Sequence, residues 1–286
     1  MPNQYLHRFG CVEYDFSSRT HIVGVLNVTP DSFSDGGRFF NKSDAVEHAL
    51  RMAEEGADIL DIGGESTRPG SNSISVDEEL RRVIPVIEAL STKVSVPISI
   101  DTYKSAVAGK ALDAGATIVN DISGLTFDPE MTEIAARYAA TVVIMHMKGT
   151  PKTMQLDPVY NDVIGDIGEF LLQQARVAEA HGVSQIIVDP GIGFGKKLEH
   201  NLEIFRRLKA LTGLGYPLMI GPSRKSFIGM ILDLPADSRL EGTAAAVAVS
   251  VLNGANLIRV HDVQAMKRVV QVVDAIKRGA SVDAPV

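Results

Sequence analysis

The sequence predicts an α/β chain folded as a single-domain (β/α)8 TIM barrel with a short N-terminal hairpin. Three observations carry this. Short runs rich in Ile and Val recur along the chain, a helical pattern follows them, and polar or Gly-rich turns gather after the same end of each run. The runs are His21–Val28, Ile59–Ile62, Pro97–Ile100, Thr117–Val119, Thr141–Met145, Gln185–Val188, Pro217–Ile220 and Leu257–Val260. They are nearly continuously apolar, as parallel strands buried on both faces should be. The rival is an open doubly wound sheet, which usually carries a G-x-G-x-x-G turn after its first strand. The turn here, Asn27 to Gly37, lacks that pattern.

The elements follow in order. Residues 1–20 precede the first run, and the segments around Leu6–Val12 and Tyr14 suit a hairpin covering the barrel floor. Residues 21–280 make the barrel and 281–286 a tail. Gly56, Gly115 and Gly182 each close a helical pattern shortly before the next strand, as C-terminal caps do. Ser75 and Glu78 form a capping-box pair ahead of Leu80, Val83, Ile84 and Ile87 at helical spacing. Pro85 within that segment is expected to kink the helix or shift its start. Met266, Val269, Val270 and Val273 repeat the spacing in the last helix, with Gly279 as its stop.

Composition narrows the function. The 286 residues are 45% hydrophobic and 22% charged, which excludes wholesale disorder. The single Cys11 cannot form an internal disulfide or a thiolate metal cage, and it suits a reducing cytosol. No apolar run reaches the ~18 residues that cross a bilayer, and MPNQYLHRFG has no signal-peptide pattern. A cytoplasmic protein without membrane partners is expected. A net charge of −7 disfavours a general nucleic-acid binder but leaves room for a local basic pocket.

In such a barrel the C-terminal strand ends carry the chemistry. Asn27, Asp61, Asp101, Asn120, Asp121, His146, Asp189, Arg259 and His261 stand there. Asp101, Asn120 and Asp189 combine acceptor-only carboxylates with a donor–acceptor amide. That set suits a planar ring with an amidine edge, such as a pterin or guanine, although each Asp serves equally well as a helix cap. Arg68, Lys225, Arg259 and His261 form a cationic set suited to an anionic substrate. Surface salt bridging is the alternative, weakest for Arg259 inside an apolar run.

Asn27 offers a metal-ligand oxygen or a turn role. The Gly191–Lys196 loop does not fit a phosphate loop: Gly191 and Gly195 are one residue too close, and Lys197 stands where Ser or Thr belongs. No activated nucleophile is evident, and His146 reads as a packed histidine. Phe33 and Phe194 on Gly-rich loops either close over a flat substrate or fill space. Met145 faces the barrel interior as core or pocket wall.

The stretches GVLNVTPDSFSDGG (Gly24–Gly37), DIGGESTRPG (Asp61–Gly70), ISIDT (Ile98–Thr102), VNDISG (Val119–Gly124), MHMKGTP (Met145–Pro151), VDPGIGFGK (Val188–Lys196), GPSRKSFIG (Gly221–Gly229) and RVHD (Arg259–Asp262) together resemble the dihydropteroate synthase family. No motif position departs from the family pattern. The resemblance implies a homodimeric barrel of folate biosynthesis and a sulfonamide target. Its reaction joins p-aminobenzoate to 6-hydroxymethyl-7,8-dihydropterin diphosphate in an SN1-like displacement that releases diphosphate. By the same resemblance, Asp101, Asn120, Met145, Asp189, Lys225 and Arg259 bind the pterin. Asn27, Arg68, Arg259 and His261 bind diphosphate, and Asn27 also touches Mg2+. Phe33, Thr67, Arg68, Pro69, Phe194, Lys225 and Ser226 form the p-aminobenzoate site. Asp101, Asp189, Lys225 and Arg259 are the implied catalytic set, and the loops Thr29–Arg38 and Gly63–Ser71 close over the substrates.

Other classes compete with this. An aldolase-type barrel would use Lys225 as a Schiff-base lysine. A methyltetrahydrofolate-dependent methyltransferase would need the ring-reading acids without Arg68, Lys225 and His261 together. A non-enzymatic pterin-binding paralogue would have lost cationic or loop residues, and none is missing here.

Overall fold

The computed structural model describes residues 4–10, 12–29, 42–67 and 70–279. A hairpin of β1 (Leu6–Phe9) and β2 (Val12–Asp15) comes first. The barrel follows as β3 (His21–Asn27), α1 (Lys42–Glu54), β4 (Ile59–Gly63), α2 (Val76–Ser91), β5 (Ile98–Asp101), α3 (Ser105–Asp113), β6 (Ile118–Asp121), α4 (Met131–Arg137), β7 (Thr141–Met145), α5 (Val163–Ala180), β8 (Ile186–Asp189), α6 (Leu198–Arg207), β9 (Met219–Ile220), α7 (Ser226–Leu232), α8 (Leu240–Leu252), β10 (Leu257–Val260) and α9 (Val263–Arg278). The eight barrel strands are parallel and lie in the order β8-β7-β6-β5-β4-β3-β10-β9. A bridge from Val188 to Leu218 joins the two ends of that order. The predicted barrel is therefore the observed one.

The continuous apolar character of the runs has a two-sided cause. A strand sends alternate side chains to opposite faces. Leu26, Leu60, Ile62, Ile100, Val119, Val142, Ile144, Val188, Ile220 and Ile258 join the core shared with the helices. Their neighbours Val23, Ile59, Ile118, Val143, Ile187, Met219 and Leu257 form a second, inner cluster. Phe9 and Phe16 belong to this inner cluster, with Tyr5 and Tyr14 packed against it. The hairpin thus plugs the barrel floor, as expected. The Tyr14 hydroxyl fastens it by donating to the Asp58 carbonyl oxygen at 3.0 Å, and the Asp58 carboxylate holds the connection into β3 through Arg19 at 2.6 and 3.0 Å and the Ile22 N–H at 2.7 Å.

The caps behave as their chemistry dictates. Gly56, Gly115 and Gly182 all have positive φ just beyond their helices. The Ser75 hydroxyl accepts from the Glu78 N–H at 3.2 Å, the first half of the capping box. The second half is absent, because the Glu78 carboxylate binds Arg81 and Arg82 at 2.6 and 2.7 Å. The start of α2 is not shifted by Pro85, which lies inside a helix running from Val76 to Ser91. Among the described residues, no helix is long and apolar enough to cross a membrane.

Candidate active site

The site follows from the inner cluster by counting. Two residues beyond Val23, Ile59, Ile118, Val143, Ile187 and Leu257 on the same strands stand Val25, Asp61, Asn120, Met145, Asp189 and Arg259, and Gly221 follows Met219 just past the end of β9. Two beyond the buried Ser99 stands Asp101. Strand alternation keeps each of these facing inward, so apolar floor residues give way to a polar ring one pleat higher. A further pleat carries Asn27, Gly63 and His261. The register places Asn27 opposite Gly63, Gly63 opposite Asp101, and Asp101 opposite Asn120.

Arg259 organises this ring. Its Nε donates to Asp61 Oδ2 at 2.6 Å, and a terminal N–H donates to Asp101 Oδ2 at 2.6 Å. Asp61 Oδ2 also accepts from the Asn120 amide at 2.9 Å. Burial alone would depress the guanidinium, but the two carboxylates hold it above its ordinary value. Burial pushes Asp101 up to about 7 against the pull of Arg259. Two buried oxygens, Asp61 Oδ1 and Asp101 Oδ1, make no hydrogen bond among the described residues. Buried polar atoms are rarely left so, and both stand in the ring suited to a donor-bearing heterocycle.

Asp189 is 4% exposed, and its Oδ1 accepts from the Gly191 N–H at 2.7 Å. Burial raises its carboxyl, while that N–H and the charges of Lys225, Arg259 and Lys196 draw it back. The Lys225 ammonium lies 4.0 Å from the centre of the Phe194 ring, a cation–π contact. Burial and Arg259 bring Lys225 down to about 8 against the support of Asp189 and Asp101. Phe194 packs with Met145, Ile122 and Met154.

One expectation changes. His261 joins the set as a neutral ring: burial, Arg259 and Arg224 lower it to about 3, and its Nδ1 lies 2.9 Å from the Ser223 hydroxyl. It can act as a hydrogen-bond donor near neutral pH, not as a cation. Arg224, next to Lys225 in sequence, forks onto Asp262 at 2.5 and 3.0 Å. His146 is packed, edge-on to Phe170 with ring centres 5.1 Å apart, as expected. Thr67 is half-buried and Ser226 exposed at the start of α7. Phe33, Arg68 and Pro69, the loop to Arg38, Cys11 and the tail lie outside the described residues.

Sequence reasoning placed Asp61 on the rim without a role, yet it links Arg259 to Asn120. Its signal was the one Arg259 gave, a charge inside an apolar run. It also missed Glu65, whose carboxylate takes Lys104, the Tyr103 hydroxyl and the Ile74 N–H at 2.6, 2.6 and 3.0 Å. These bonds fix the base of the Gly63–Ser71 loop. Among the described residues, no group of three or more His, Cys, Asp and Glu stands ready to hold a metal.

Inward acids and an amide, a buried guanidinium and a loop aromatic under a lysine define a pterin binding enzyme, and the model of that family matches residues 23–261. Dihydropteroate synthase of Synechocystis sp. is 49% identical over 268 residues, 93% of each chain. The structure of the Yersinia pestis dihydropteroate synthase with a sulfonamide drug superposes with a TM-score of 0.91 at 42% identity, covering 96% of this chain and 100% of that one. That of Clostridium difficile in the presence of pteroic acid gives 0.88 at 46%, covering 93% and 100%. The chain belongs to the dihydropteroate synthase family.

Proposed function

We propose that the chain is a dihydropteroate synthase, a transferase of folate biosynthesis joining p-aminobenzoate to 6-hydroxymethyl-7,8-dihydropterin diphosphate with release of diphosphate. The observation that carries this is the polar ring itself, with Asp61 and Asp101 each holding Arg259 by one oxygen while the other has no partner. Asp101, Asn120 and Asp189 read the pterin edge, Met145 walls it, and Lys225 donates to the ring. Arg259 lies against the pterin and, with Asn27, Arg68 and a neutral His261, receives the diphosphate. Phe33, Thr67, Arg68, Pro69, Phe194, Lys225 and Ser226 surround p-aminobenzoate.

The chemistry asks for positioning and charge rather than a nucleophile. The methylene C–O bond breaks, its electron pair leaves with diphosphate, and the electron-rich pterin carries the resulting cation. Asp101 stabilises that cation. The arylamine lone pair then forms the C–N bond, and its proton passes to solvent. An arylamine is neutral near pH 7, so no strong base is needed.

Mg2+ fits this site as an ion arriving with the substrate. Asn27 supplies one hard oxygen, and Mg2+ bound to phosphates typically takes few protein ligands. The ion would offset diphosphate charge. Diphosphate release measured with and without p-aminobenzoate and Mg2+ tests the reading. Release is expected to require both, and no product with all components present overturns it.

A homodimer accompanies this function. Met230, Ile231, Leu232, Val249 and Leu252 on α7 and α8 are 41–66% exposed, an apolar face suited to a second copy. Leu252→Glu with Met230→Glu is expected to give a monomer in sedimentation velocity. An unchanged dimer would place the interface elsewhere. A cytoplasmic location suits a chain with one thiol.

A further inference from the structure

Lys196 is a buried lysine that the reaction above does not use. It is 3% exposed, and its Nζ lies 3.0 Å from His146 Nδ1, 3.2 Å from the His146 carbonyl oxygen and 2.9 Å from the Phe194 carbonyl oxygen. An ammonium has three N–H donors and no acceptor, and three acceptors surround this one. The ring partner suits the part: burial and Lys196 itself lower His146 to about 2, so its Nδ1 is free to accept. Among the described residues no carboxylate pairs with Lys196, and burial brings it down to about 7. A Met or Leu would fill the same space without that desolvation cost, so packing does not account for a lysine here.

The clamp joins two loops. The Gly191–Lys196 loop lies directly on the backbone that follows β7. Gly191 and Gly195 have φ of +69° and +61°, and a Cβ on either would run into the carbonyl oxygens of His146 and Lys148. Gln155 donates to the Gly193 oxygen at 2.9 Å, and the Tyr160 hydroxyl to the Gly195 oxygen at 2.7 Å. Lys196 grips the peptide of Phe194, whose ring carries the Lys225 ammonium.

We propose that Lys196 is a positioning residue for the arylamine: by tying the Phe194 carbonyl to His146 it holds the Phe194 ring in place under Lys225. The role rests on the dihydropteroate synthase reading and deepens it. It acts on the arylamine more than on the pterin, because Asp101 and Asn120 stand on β5 and β6, away from this loop, while Asp189 and Lys225, which also meet the pterin, border it.

The test is steady-state kinetics of Lys196→Met, which keeps side-chain length and removes the donors. The KM for p-aminobenzoate is expected to rise about tenfold, the scale of one charge-assisted hydrogen bond. The KM for dihydropterin diphosphate should rise by less, since of the pterin-reading residues only Asp189 and Lys225 border this loop. In a Phe194→Leu background the same substitution should add little, since residues acting as a unit are non-additive. Equal movement of both KM values, movement of neither, or full additivity with Phe194→Leu overturns the role. Lys196→Leu, which also lacks a donor, gives the same readouts if the Met variant is insoluble. An unmodified enzyme that makes no product overturns the function and this role with it, whereas an active enzyme with the wrong pattern overturns the role alone.

Discussion

Arg259→Ala is expected to lower kcat/KM by about 10²–10³-fold, the scale of losing one preorganised group that meets developing charge. The leaving diphosphate gains negative charge as its C–O bond breaks, and Arg259 is a permanent cation bonded directly to Asp101 of the pterin-reading ring. Stability should fall as well. The side chain is 20% exposed, and it neutralises Asp61 and Asp101, whose side chains are 1% and 9% exposed. Removing one partner from such a buried set typically costs about 3–5 kcal/mol. The loss depends on pH. Asp101 already lies at about 7 with Arg259 opposing burial, so in the variant it rises further. A carboxyl with a higher pKa folded than unfolded destabilises once it must ionise. The deficit should therefore open above about pH 7, where the parent's Asp101 ionises in the folded state and the variant's does not, and widen from there. Urea unfolding of both proteins at about pH 5.5 and about pH 8.5 measures it. A deficit of equal size at the two pH values would contradict the pairing.

The barrel was legible because its strands are doubly buried. Ile and Val at consecutive positions mark one side chain for the helices and one for the interior, so β3 to β10 stand out without any alignment. The site was legible for the same reason inverted: Asp101, Asn120, Asp189 and Arg259 are polar where the alternation demands an inward residue. What stayed hidden was pairing across the barrel. Asp61 and Arg259 are 198 residues apart in sequence, and nothing local announces that one oxygen of Asp61 serves both Arg259 and Asn120. Charge state was hidden too. His261 counts as a cation in a list of basic side chains, but burial beside Arg259 and Arg224 makes it neutral. Lys196 looked like a failed phosphate-loop lysine. Its partners are two carbonyls and a ring nitrogen, groups that no motif records. The half-formed capping box at Ser75 shows the same competition, since Arg81 and Arg82 outbid the backbone for Glu78.

Asp189→Asn should weaken pterin binding at least as much as Asp189→Ala, for a reason that concerns hydrogen-bond sense rather than size. In the native protein Asp189 Oδ1 accepts from the Gly191 N–H. An Asn can keep that bond only by turning its carbonyl oxygen to Gly191. Its NH2 then faces the ring, where the pterin edge also presents N–H groups, and donor meets donor. Ala merely leaves those N–H groups unpaired. Either variant is expected to lose about 10- to 150-fold in affinity, the range of one charge-assisted partner. The Asn variant, nearly isosteric, should unfold within about 1 kcal/mol of the parent. A second consequence follows through Lys225. Asp189 is the first of the charges that support its ammonium against burial and Arg259. With that charge gone, Lys225 should deprotonate below its present value of about 8. The alkaline limb of kcat/KM for the pterin substrate should move to lower pH in both variants. Calorimetric titration with the pterin product and a pH profile together decide the matter. Native affinity in Asp189→Asn would remove Asp189 from the ring-reading set, and an unmoved alkaline limb would show that the charge on Lys225 is governed from elsewhere.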